Sequence, residues 1–200
     1  MSIKDLLLKR YATKKFDPDF KVSQEDLDYV LECARLSASS INVQPWVITV
    51  VTNPELRAKL REASYGQPQV TDGSALIILS VLKDPTVRID RTAEIIAANS
   101  SQESADNFKK MANGWSRNGA EQALPWLQRQ SYLALQAMIL AAMDRGLDTC
   151  PMEGFDPVKY AEILGMTDAV PTALLPIGKA LEPGHPKVRV PMEDIVRWVK

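Results

Sequence analysis

Apolar residues fall along the chain in two patterns, one recurring every three or four positions and one continuous over short runs. Residues 2–9 read as a short helix that leads into a basic turn. Ser23 reads as an N-cap with Glu25 and Asp26 in the first turn, and Leu27, Val30, Leu31 and Ala34 follow at helical spacing. Trp46 to Val51 is β-branched and apolar, which predicts a strand. Asn53-Pro54 sets a capping residue before a proline suited to the first helical position, and Leu56, Leu60 and Ala63 continue that helix. Ala75 to Leu82 is unbroken and apolar and predicts a buried strand. Asp156-Pro157 opens another short helix. Ala173 to Ile177 predicts a strand, which Pro176 assigns to an edge or a bulge.

Three stretches are less regular. Residues 86–118 are more polar, with helical pieces whose ends the pattern does not set, and suit a lid or an excursion from the core. Residues 121–145 predict a long helix closed by Gly146 at C′. From Tyr132 to Met143 that helix is apolar on nearly every face, so it needs cover all round, from one central core or from a dimer interface. The tail beyond Pro191 alternates through Ile195, Val196, Trp198 and Val199. Helices and strands do not alternate regularly. Neither a Gly-x-Gly-x-x-Gly fingerprint nor a phosphate-binding P-loop is present, which argues against a Rossmann fold.

Composition narrows the chemistry. The 200 residues suit a single domain, 1–200, and the 46% apolar and 24% charged content is that of a globular chain. A net charge of -1 argues against a nucleic-acid or anionic membrane partner bound by bulk electrostatics. One histidine, His185, and two cysteines, Cys33 and Cys150, fall short of the roughly four ligands of a structural zinc site and make a disulfide-stapled domain unexpected. An enzyme so poor in histidine and cysteine points to a cofactor as the source of its chemistry. Leu133 to Met143 is too short to cross a bilayer, and the charged N-terminus does not read as a secretion signal, so a cytoplasmic location is expected.

Four groups of residues carry possible chemistry, each with a plain alternative. Lys9, Arg10, Lys14 and Lys15 crowd four cations into a short run with no acid, which suits a phosphate or a solvated turn. Ser37 to Trp46 offers Ser39, Ser40, Asn42 and Gln44 toward a polar ligand, or simply caps a helix. Cys150-Pro151-Met152-Glu153-Gly154-Phe155 could present backbone N–H groups, with Glu153 a possible base and Cys150 a thiol or a buried filler. Lys187 and Arg189 lie two apart, so on an extended segment they point the same way, toward a phosphate or to solvent. Gln67 and Gln69 flank Pro68 where they could read the edge of a ring. Phe108, Trp115 and Trp126 could roof a pocket or pack, and His185 suits an exposed loop.

Taken together and in this order, these motifs resemble the FMN-dependent nitroreductase family over nearly the whole chain. The likeness is closest to the oxygen-insensitive NAD(P)H nitroreductase and dihydropteridine reductase branch. It rests on Lys9 to Phe16, Ser39 to Trp46, Pro151 to Phe155 and Lys187-Val188-Arg189. The resemblance implies an α+β fold with a mixed central sheet wrapped by helices. It implies a homodimer with the long helix at the interface, the C-terminal tail exchanged between subunits and FMN between them. It implies hydride transfer from NAD(P)H through flavin N5 to a nitroaromatic, quinone or pteridine small-molecule acceptor, by a ping-pong mechanism. Reductive dehalogenation, flavin fragmentation and a non-enzymatic FMN-binding module are the alternatives on this fold.

The same likeness assigns roles. Arg10, Lys187 and Arg189 would hold the FMN phosphate. Lys14 would stand at the pyrimidine end, where a cation stabilises the reduced flavin. Gln67 and Gln69 would meet that ring edge, and Ser39, Ser40 and Asn42 would reach FMN from the other subunit. Pro151, Met152, Glu153 and Gly154 would run along the ring, with the Glu153 N–H toward N5 and no side chain acting as the catalytic group. Ala12 replaces a serine common in relatives, and Tyr11 stands where relatives have histidine. The 86–118 stretch is shorter than in some relatives.

Overall fold

The computed structural model describes residues 2–116 and 120–200. Its helices are α1 (Ile3–Lys9), α2 (Gln24–Arg35), α3 (Pro54–Glu62), α4 (Gln69–Asp72), α5 (Thr86–Asn99), α6 (Gln102–Ser116), α7 (Ala120–Asp144), α8 (Pro157–Leu164) and α9 (Met192–Ile195). The strands are β1 (Trp46–Val51), β2 (Ala75–Leu82), β3 (Asp148–Thr149) and β4 (Ala169–Gly178), in the spatial order β1-β2-β4-β3. The caps follow the local sequence. The Ser2 and Asp5 side chains reciprocally cap α1, Ser23 accepts from the Asp26 N–H, and Asn53 accepts from the Leu56 N–H.

β2 is buried along its whole length and divides the core into two layers. Ala75, Ile77 and Leu79 face one way, toward Leu27, Val30 and Ala34 of α2 and Ala134, Met138 and Ala142 of α7. Leu76 and Ile78 face the other way, toward Leu60 of α3, Val70 of α4 and Tyr160 of α8. The continuous apolar run is therefore two alternating faces, both covered. The Tyr160 hydroxyl shares a 2.7 Å hydrogen bond with Ser64, and burial pushes its pKa up to about 12.

The α+β class holds, with two refinements. The four strands of one chain pair antiparallel throughout, so the described residues contain no parallel pair of the kind a mixed sheet needs. Pro176 does not lie at an edge: β4 begins earlier than expected, at Ala169, and sits between β2 and β3. The irregularity in β4 falls elsewhere, between Leu79 and Ser80 opposite Pro171 to Ala173. Pro176 is tolerated because its polar side faces the short β3 edge. Its carbonyl accepts from the Cys150 N–H at 3.1 Å, and the ladder to that edge is already interrupted there.

Residues 86–118 include two packed helices, α5 and α6, rather than a loose lid. Ile89, Ala93, Ala105 and Phe108 form a satellite core with Val43, Val81 and Leu127. Phe108 is thus packing and Trp126 leans on the same cluster, while the side chain of Trp115 lies outside the described residues. α7 is covered on one side only: Tyr132 and Leu133 are exposed. Among the described residues no helix is long and apolar enough to cross a membrane. α7 ends in a left-handed Gly146 at φ 66°, with the Leu147 N–H bonding the Ala142 carbonyl at 2.8 Å. A Cβ at Gly146 would meet only the Lys179 Nζ, at 3.7 Å, so the cost of a side chain is conformational. Gly146→Ala is expected to lower unfolding free energy by about 1 kcal/mol, measured by denaturant titration.

Candidate functional site

The site forms at the β3 edge of the sheet, where two distant segments are tied together. The Thr13 N–H donates to the Thr149 carbonyl at 3.1 Å, and Phe16 bridges Ala180. The Tyr11 hydroxyl donates to the Glu182 carbonyl, and its ring lies against Gly184 so closely that any Cβ there would collide with it. Tyr11 thus fastens residues 182–184 to the N-terminal segment, and burial raises its pKa. Beyond that clasp the Lys187 Nζ donates to the Arg10 carbonyl.

This clasp brings four cations together. Burial lowers the pKa of Lys187, and the nearby charges of Arg10 and Arg189 lower it further. Lys14 Nζ lies 3.8 Å from the Cys150 Sγ. Among the described residues none of Arg10, Lys14, Lys187 and Arg189 has a carboxylate partner, whereas the neighbouring Lys15 pairs with Glu182 at 2.6 Å. Unrelieved repulsion among cations fits a site for a phosphate group, which would restore the balance. Cys150 is fully buried beneath them. Burial pushes its thiol pKa up, and the charges of Lys14 and Arg10 pull the other way.

The Cys150–Phe155 segment supplies donors of a different kind. The Met152 N–H and carbonyl both bond Leu174 of β4 at 2.9 Å, and its side chain is buried in the core. Because a trans peptide sets C=O and N–H on opposite sides, that pairing turns the Glu153 N–H away from β4. Among the described residues neither the Glu153 nor the Gly154 N–H finds an acceptor. The Gln67 Nε2 holds the Gly154 carbonyl at 2.7 Å, and a Cβ at Gly154 would press on it at 2.8 Å. Gln69 is buried with its Oε1 unpartnered. Arg57 of α3, also buried, donates to the Gly73 carbonyl, and Arg61 bonds the Gly66 carbonyl at 2.9 Å, so α3 fixes the loop that carries both glutamines.

The Ser39–Asn42 segment is built elsewhere in the same chain. It precedes β1, at the opposite edge of the sheet from β3, three strand spacings or roughly 14 Å away. Ile41, Asn42 and Gln44 hold φ of 49°, 59° and 44°, a rare region for residues with a Cβ and a strained one for β-branched Ile41. Gln130 of α7 accepts from the Ser40 N–H at 2.8 Å while donating to the Trp126 carbonyl at 2.8 Å. One chain therefore gathers Arg10, Lys14, Lys187, Arg189, Gln67, Gln69 and Pro151–Gly154 on one side and leaves Ser39, Ser40 and Asn42 apart. Ala12 is half-buried against the second core layer, and His185 is exposed.

Several functional contacts were not legible in the sequence. Tyr132 of α7 donates its hydroxyl to Glu153 Oε1 at 2.6 Å, and burial followed by the carboxylate pushes the tyrosine pKa up to about 12. A cleft of about 270 Å³ opens beside this pair, with Gln128, Phe155, Pro171 and Thr172 in its walls. Gln130 alone left a signal, as a polar residue on an otherwise apolar helix face. Among the described residues no cluster of His, Cys, Asp or Glu is suited to a metal ion.

Fold and site together set cations without carboxylate partners among the described residues beside outward-facing N–H donors at one side of the sheet. The nitroreductase family model matches residues 7–179, and the chain belongs to that family. A Staphylococcus haemolyticus protein bearing an NAD(P)H nitroreductase name is 35% identical, over 95% of this chain and 94% of its own. A Thermus thermophilus protein named NADH dehydrogenase is 33% identical, over 99% of this chain and 96% of its own. A solved structure from Exiguobacterium sibiricum, described as a nitroreductase in complex with FMN, superposes with a TM-score of 0.90 at 29% identity, covering 100% of this chain and 98% of that one.

The thiols give a direct check on the packing of the site. In the native protein at mildly alkaline pH, a chromogenic disulfide reagent is expected to modify half-exposed Cys33 well before Cys150. Equal rates would mean that the layer over Cys150 is open.

Proposed function

We propose that this protein is an FMN-dependent oxidoreductase of the NAD(P)H nitroreductase type. One observation carries the reading: cations without acid partners converge beside a peptide that offers two free N–H donors. The residues fit FMN, whose phosphate needs the first feature and whose ring edge needs the second. Names of relatives and an FMN-complexed neighbour support the same cofactor and an NAD(P)H donor.

When bound, FMN supplies hydride acceptance from NAD(P)H at N5 and delivery to a nitroaromatic, quinone or pteridine in a ping-pong cycle. The chain's own part is binding and orientation. Arg10, Lys187 and Arg189 hold the phosphate. Lys14 would stand as a cation at the pyrimidine end and Gln67 would meet the same ring edge, whereas Gln69 is buried, with its Oε1 out of reach of a bound ligand. The Glu153 N–H would be the donor toward N5. Proximity is the main catalytic device, since donor and acceptor need to lie about 3–3.5 Å from the reacting atom.

The working unit in this reading is a homodimer. Ile3, Leu7 and Leu8 of α1 and Leu133 of α7 are exposed, and Trp198 and Val199 in the tail are 84% and 90% exposed. Apolar surface of that kind suits a second copy of the chain. The tail crosses to the partner, and Ser39, Ser40 and Asn42 complete the partner's FMN site. A cytoplasmic location fits a reduced-nucleotide donor.

Purified protein is expected to be yellow, to sediment at twice the chain mass and to bleach anaerobically on addition of NADH or NADPH. Colourless protein that takes up no added FMN overturns the reading, and bound flavin that neither nucleotide reduces leaves only a binding module. Arg10→Ala and Arg189→Ala are each expected to weaken FMN binding about tenfold to a hundredfold, as for loss of one charge-assisted contact. Fluorescence titration of the apoprotein measures it, and unchanged affinity overturns the phosphate assignment.

A further inference from the structure

The Glu153 side chain poses a problem for the site just described. Its backbone N–H is turned away from β4 by the Met152–Leu174 pairing and is free to donate. Its carboxylate sits on the same residue, exposed, with three rotatable bonds from the backbone to the acid. A negative charge swinging toward the N5 edge would oppose the electron density that reduction adds to a flavin, because charge near N1 and N5 tunes the cofactor. Something must hold the carboxylate elsewhere if the peptide is to act as a donor alone.

The hydroxyl of Tyr132 does so. It reaches across from α7 to Glu153 Oε1 at 2.6 Å, the length of a strong bond to an ionised acceptor. The tyrosine remains protonated throughout the working pH range, since its pKa is pushed up to about 12, so it always has the proton to donate. Around Glu153 the backbone is held at the Met152–Leu174 pair, at the Gly154 carbonyl by Gln67, and at the Asp156 N–H by the Ala63 carbonyl at 2.8 Å. The carboxylate is the mobile part of an otherwise fixed loop, and Tyr132 fixes it.

We propose that Tyr132 is a positioning residue for flavin reduction: by tying the Glu153 carboxylate to α7, it keeps that charge off the N5 edge and leaves only the N–H donor there. The inference rests on the FMN reading above. Its signature is the redox equilibrium of the bound cofactor rather than turnover.

The test compares wild type, Tyr132→Phe, Glu153→Gln and the double variant, each loaded with FMN, by equilibrium reduction against a reference dye at fixed pH. Tyr132→Phe is expected to lower the ratio of reduced to oxidised FMN affinity about tenfold, a fall of about 30 mV for a two-electron couple. Glu153→Gln removes the charge yet keeps an acceptor oxygen for Tyr132, so its potential is expected to lie at or above that of wild type. The double variant is expected to match Glu153→Gln, because without the carboxylate there is nothing left to restrain. A Tyr132→Phe potential equal to wild type overturns the proposal, as does an equal fall in the double variant, which would mark the hydroxyl as merely structural. If Tyr132→Phe holds no FMN, restored binding in the double variant supports the proposal and continued loss overturns it. Wild type that binds no FMN instead rejects the functional reading itself, so the two failures are distinguishable.

Discussion

The whole architecture depends on β2 being buried on both faces. A strand without a solvent side needs a helical layer over each surface, and its alternating residues divide the core accordingly. α2 and α7 cover one face, and α3, α4 and α8 cover the other. β4 continues the division, with Ala173, Leu175 and Ile177 on the first side and Leu174 on the second. Every group in the candidate site is referenced to this sandwich. α3 positions the glutamine loop, α7 carries Tyr132 and Gln130, and β4 orients the Glu153 peptide.

The site lies on the outer side of the edge segment that follows β3. In an edge strand only alternate N–H groups point into the ladder, and the others face out. Regular pairing stops after two residues, the carbonyl of Pro176 takes one more N–H, and a single bridge at Met152 follows. Pro176 lacks the N–H that would otherwise donate to the Cys150 carbonyl. The Met152–Leu174 bridge turns the Glu153 N–H outward within a rigid frame. A loop could expose the same groups, but it would not fix their direction.

Electrostatics and apolar surface both fit the proposed cofactor site and homodimer. Among the described residues the cations around Lys187 have no carboxylate partner and repel one another, which favours binding of an anion. The strained turn at Ile41 to Gln44 is held by Gln130 far from those cations. Strain of that kind persists when surrounding structure enforces it, and it belongs at binding surfaces. A second copy of the chain would unite the two halves and cover the apolar residues of α1 and the tail.

Much of this was legible locally. Ser23, Asn53-Pro54, Asp156-Pro157 and Gly146 marked helix ends because caps depend on a few adjacent residues, and the apolar runs marked β1 and β2 because burial on both faces leaves no polar position. The basic cluster and the Lys187-Val188-Arg189 spacing were readable as well, since like charges close in sequence need no fold to bring them near. The sequence alone therefore determined most of the longer elements, the family and the types of group available. Only the tertiary structure decided that Pro176 sits inside the sheet, that residues 86–118 include a packed helical pair, and that Tyr132 meets Glu153. Those outcomes depend on which side of a strand a missing donor faces and on contacts between separate elements. No local pattern encodes them, because they arise when the two layers close on β2.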